Sequence, residues 1–242
     1  MSYDSQNPWT ARRGGAATQG AYDLGLRQYM LRVYNYMASG LAVTGVVAWL
    51  AYDTGITAQI MFSPVRWLVI LAPLALVIIF SAGLSRMSFA TAQLLYWGYA
   101  ALMGLSISSI FAIYSHASIA TTFFITAAMF LGMSLYGYTT KADLTKMGSF
   151  MVMGLIGIII ASVVNIFLMS SALSFAVSII GVIVFTGLTA WDTQRIAQQY
   201  YMPAVGSGDM VGKGALMGAL QLYLDFLNLF MIMLRLFGNS RD

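Results

Sequence analysis

Residues 218–237, GALQLYLDFLNLFMIMLRLF, form an apolar run long enough to cross a bilayer and carry one acid, Asp225, in the middle. A carboxylate at that depth is costly in lipid and belongs on the inside of a helix bundle, where it marks a functional group by default. At 3.6 residues per turn, Gln221, Asp225 and Asn228 share one face, and Leu, Phe, Met and Ile cover the others. This helix is therefore expected to sit among other helices, with its polar stripe lining something.

The rest of the chain supplies those helices. Of 242 residues, 60% are hydrophobic and 8% charged, and the mean hydropathy is +0.79, far from a soluble domain. All eight acids are Asp, and there is no Cys, which removes disulfides, thiolate metal sites and cysteine nucleophiles. The formal charge of +4 comes from basic residues scattered between apolar runs, a pattern for an anionic leaflet rather than for nucleic acid.

Working back from the amino end, residues 1–30 are polar and rich in Gly and Ala, and read as a mobile tail. Spans are expected at about 33–52, 67–84 (bent by Pro73), 90–114, 119–138, 150–169, 174–191 and 218–237. His116 falls in a tight connection with no second metal ligand at helical spacing and reads as a solvated loop residue. Asn165 reads as an interhelical hydrogen-bonding group, and Gly154 and Gly157 as points of close helix approach. Residues 203–214, PAVGSGDMVGKG, are expected to be a flexible loop. They are no phosphate loop, because Ser207 and Gly214 stand where that motif needs Gly and Ser or Thr.

Seven spans with the amino terminus inside put nine of the twelve Lys and Arg residues on the cytoplasmic side, leaving Arg66, Arg235 and Arg241 outside. The carboxyl terminus is then outside. Asp192 lies at the inner end of span six, and Asp225 about 12 to 15 Å deep from the same side. Antiparallel neighbours would bring the two face to face if span six is tilted or if its membrane segment extends beyond residue 191. Close carboxylates cannot both ionise cheaply, so the pair would hold one proton and titrate as a unit. Asp192 could instead be an interfacial acid paired with Arg195, three residues on. Arg86, at the inner end of span two, is either a counter-charge for the pair or a positive-inside anchor.

Three stretches, TTKADLTKMGSFMVMGLIGIIIASVVNIFL, SSALSFAVSIIGVIVFTGLTAWDTQRI and LYLDFLNLFMIMLRLFG, closely resemble the Bax inhibitor-1 family, also called the transmembrane Bax-inhibitor-motif family. The resemblance implies a bacterial inner-membrane protein, all-α, with seven transmembrane helices, the last enclosed by the other six, and a pH-sensitive calcium leak. The family's two-aspartate sensor would map onto Asp192 and Asp225, and its latch arginine onto Arg86. Two departures stand out: Trp191 replaces the commoner Tyr, and the outer-mouth glutamate of calcium-leaking members has no counterpart, since the chain has no Glu.

The leading expectation is therefore a leak channel or exchanger with Asp192, Asp225, Gln221 and Asn228 along the ion path, Arg86 as a possible gate, and no required cofactor. The two carboxylates alone make a weak calcium site. The alternative is an interaction protein that modulates another membrane complex, such as a membrane-anchored ATP-dependent protease, through the polar tail. An intramembrane aspartyl protease would need glycines before Asp225, where Leu222, Tyr223 and Leu224 stand. A retinal-type light-driven pump would need a lysine within span seven, and Lys213 precedes the run.

Overall fold

The computed structural model describes the backbone of residues 8–84, 86–200 and 208–239, and the side chains of residues 24–84, 86–200 and 209–239. Its helices are α1 (Pro8–Asp53), α2 (Ile56–Met61), α3 (Arg66–Gly83), α4 (Phe89–Ile107), α5 (Ile110–Ile113), α6 (His116–Thr139), α7 (Thr145–Leu168), α8 (Ser171–Gln199) and α9 (Gly208–Phe237). No strand occurs among the described residues. Seven segments are long and apolar enough to cross a membrane, so the protein is an all-α membrane protein of seven spans.

Sequence position explains the main local features. Ser88, Ser115 and Ser170 cap α4, α6 and α8, each accepting a hydrogen bond from the backbone N–H three residues on. At the start of α7, Asp143 accepts from both the Thr145 N–H (2.9 Å) and its hydroxyl (2.6 Å). These bonds hold its carboxyl below the usual carboxylate range. Pro73 sits inside α3 and denies the Val69 carbonyl its helical partner; the Ser106 hydroxyl of α4 donates to that carbonyl instead, at 2.5 Å. The third span is interrupted between α4 and α5, where Ser108 donates back to the Leu105 carbonyl and accepts from Thr57.

The bundle has two layers around α9. The last helix packs chiefly on α1, α4, α6 and α8, while α3 lies outside α4 and α7 outside α8. Burial follows: α9 is the most buried of the spans, while Gly148 is the one buried residue of α7. One face of α9 is sealed by Tyr223, whose hydroxyl meets the Thr44 hydroxyl at 2.6 Å, while Thr44 donates to the Ala100 carbonyl at 2.8 Å. Tyr99 packs edge-on against the Tyr223 ring. At Gly137 the backbones of α6 and α8 come so close that a Cβ would collide with the Ala190 carbonyl.

Several sequence expectations change. Residues 1–7 of the expected tail lie outside the described residues, but from Pro8 the backbone is helix continuous with the first span, and Tyr29 and Met30 are buried. A span below provides the nucleus from which such a helix can propagate outward. Of the expected loop 203–214, residues 203–207 lie outside the described residues and 208–214 are the first turns of α9. Lys213 is thus inside the last span, though near its end. His116 opens α6 rather than occupying a loop, with its ring near those of Tyr52 and Phe111. Asn165 does not bridge to a distant helix: its Oδ1 accepts from the Ser170 N–H and closes the α7–α8 turn, where Met169 has φ 48°. Gly154 lies against Val184 of α8, whereas nothing approaches Gly157.

Candidate functional site: a buried carboxylate pair

Both α8 and α9 run further than their apolar cores indicate, and that extension assembles the site. Helix α8 continues to Gln199, which places Asp192 about 10 Å inside its end. In α9, Asp225 lies about 25 Å along the axis from Gly208 and about 18 Å from Phe237. The two carboxyl groups come together in the wall of one cavity, close enough to act on each other directly. Asp192 is 4% exposed and Asp225 5%. A hydrogen bond between two carboxyls requires a proton on one of them.

Gln221 donates from Nε2 to Asp192 Oδ1 at 2.5 Å, so the amide one turn before Asp225 holds the carboxylate that Asp225 faces. Asp225 Oδ2 is buried without a hydrogen-bond partner. Asn228 donates to the Leu224 carbonyl at 2.8 Å and stays exposed. These groups line a cavity of about 980 Å³ between α7, α8 and α9, with Arg195 and Arg235 also in its wall. Its floor is the polar stripe of α9 and its far wall is apolar α7.

The segment from Trp191 to Arg195 gives each side chain a different task. Trp191 packs where a Cβ on Gly148 of α7 would collide with its ring. Asp192 meets Asp225. Thr193 bonds to Ser134 at 2.9 Å, and Ser134 to Tyr34 at 2.6 Å, tying α8 through α6 to α1. Gln194 accepts from the Leu144 N–H at 3.0 Å and donates to the Ala142 carbonyl at 2.8 Å, clamping the charged loop before α7. The Arg195 guanidinium lies 5.3 Å from the centre of the Trp191 ring and supplies the positive charge felt by Asp192.

Of the residues singled out in the sequence, the structure brings Asp192, Asp225, Gln221 and Asn228 together. Arg86 stands apart: it is exposed in the turn after α3 and does not line the cavity. Arg195, considered only as a surface partner of Asp192, is the cation at the pair. Gln194 was missed, although an amide in an otherwise helical run between buried positions is a signal that something must bond it. Among the described residues no group of three or more His, Cys, Asp or Glu side chains could hold a metal. Two carboxylates with an amide oxygen or two fall well short of the six to eight oxygens of a strong calcium site.

A seven-span bundle with a carboxylate pair on its two last helices defines a class of polytopic membrane proteins built around an intramembrane ionisable site. Residues 26–242 match the family model described as inhibitor of apoptosis-promoting Bax1. The chain belongs to the Bax inhibitor-1 family. It is 51% identical over 231 residues to a protein of Rickettsia prowazekii, covering 91% of this chain and 93% of the relative. It is 48% identical over 219 residues to the inner membrane protein YbhL of Escherichia coli (strain K12), covering 90% and 94%. A protein of Lactococcus lactis is 36% identical over 218 residues.

Proposed function

We propose that the protein is a pH-sensitive cation leak, with calcium as cargo, in which the Asp192–Asp225 pair is the sensor. The carrying observation is that two buried carboxyls, Asp192 of α8 and Asp225 of α9, are brought together at mid-bundle in a cavity that follows the polar stripe of α9. A shared proton joins α8 to α9. Raising the pH removes it, leaves two like charges with only Arg195 to offset them, and drives the helices apart; acid restores the bond. No bond-breaking chemistry is part of this reading. Calcium crosses as cargo held briefly by the pair, by the Gln221 and Asn228 amides and by water, which suits a leak better than storage.

Location and orientation are part of the same proposal. YbhL is named as an inner membrane protein, and the bias of basic residues supports an amino terminus in the cytoplasm and a carboxyl terminus outside. A cysteine introduced at Ser240 in this cysteine-free chain should be labelled by an impermeant reagent from the outside only. Labelling solely from the cytoplasm would reverse the topology.

The function is tested with purified protein in liposomes carrying a calcium reporter, across about pH 5 to pH 8, the range a shared carboxyl proton should cross. Flux should rise with pH on the cytoplasmic side. A flux that is constant over that range would remove the sensor, and no flux at any pH would remove the leak and favour a role in restraining another membrane complex.

A further inference from the structure

The cavity that holds the aspartate pair has an arginine towards each end. Asp225, Asn228, Ile232 and Arg235 follow one another along a single face of α9, and all four line the cavity. Arg235 stands about 15 Å from Asp225 towards the Phe237 end, while Arg195 lies about one turn beyond Asp192 towards the opposite end. A cation entering from the Phe237 end therefore meets a fixed positive charge before it meets a carboxylate. No acid lines that end of the cavity among the described residues.

We propose that Arg235 is a specificity-determining residue of the permeation path: an electrostatic barrier at the outer mouth that slows cations in proportion to their charge and so holds calcium passage to a leak. The inference rests on the leak reading and adds to it a reason why the path discriminates by valence. The barrier energy is proportional to the charge of the ion, so whatever factor Arg235 imposes on a monovalent cation it imposes squared on a divalent one. An Arg that merely anchors the helix end at the interface would show no such relation.

The absence of native cysteine allows the charge to be changed in one folded protein. Arg235→Cys is reconstituted in liposomes and treated from the outside with methanethiosulfonate reagents carrying a positive, a neutral or a negative group, with Arg235→Lys as the charge-preserving control. Potassium and calcium flux are read on the same preparations. Relative to the neutral adduct, the positive adduct should lower potassium flux by about threefold and calcium flux by about tenfold, the negative adduct should raise both, and Arg235→Lys should match wild type. Equal flux for the three adducts, in a protein whose wild type still leaks and loses its pH response on Asp225→Asn, would overturn the barrier and leave the leak standing. Absence of flux in wild type and in every adduct would overturn both.

Discussion

The two faces of α9 are built on opposite plans. Towards α1 and α4, Leu216, Leu222 and Tyr223 are fully buried, and the Tyr223 hydroxyl is answered by Thr44. Towards α7 and α8, Gln221, Asp225 and Asn228 look into a cavity of about 980 Å³, and one carboxylate oxygen has no partner. Lipid offers no hydrophobic drive for helix association, so packing and interhelical hydrogen bonds must hold the bundle. The first face supplies that hold. It frees the second to keep an arrangement that closely packed apolar residues would not tolerate.

The comparison breaks if the packed face is not where stability resides. Tyr223→Ala removes a buried ring and a hydrogen bond and should cost about 3–5 kcal/mol, read as a large drop in the unfolding midpoint in detergent. The pH response of whatever protein remains folded should persist. Gln194→Ala, on α8 against the loop before α7, should cost less, about 1–3 kcal/mol, because the Leu144 N–H and the Ala142 carbonyl lose their partner. Hydrogen exchange should quicken at residues 140–144 and nowhere in α1 or α4. A Gln194→Ala protein with unchanged exchange there would show that the clamp does not hold the loop.

The legible part of this architecture follows from how expensive charge is in lipid. With 8% charged residues, each apolar run stands out, and Asp225 announces itself because nothing at i±3 or i±4 could neutralise it. The helical pattern continues past Trp191 as DTQRIAQQYY, and α8 does run to Gln199, but the burial of its end was not legible for the same reason inverted. Asp192 could be read as an interfacial acid paired with Arg195, whereas Asp192, Thr193 and Gln194 are all buried because α9, α6 and the loop before α7 each take up one of them. Polarity satisfied between helices cannot be told from polarity satisfied by water along one chain. Arg86 and Arg195 show this too: both flank spans on the same side, and only the packing of α8 against α9 places Arg195 beside the pair. The break between α4 and α5 is not legible because Ser108 and Ser109 are small and uncharged and can satisfy their hydroxyls on backbone carbonyls within a span.

The most direct test of the account is a double-mutant cycle on the pair, with Asp192→Asn, Asp225→Asn and both together reconstituted and calcium flux followed from about pH 5 to pH 8. An amide keeps the shape of the carboxyl and cannot release the shared proton. If the two carboxyls act as one unit, each single variant should flatten the pH response, and the double variant should be no flatter than either. A response that survives in one single variant, or that is lost additively across the two, would contradict a sensor built from the contact between Asp192 and Asp225.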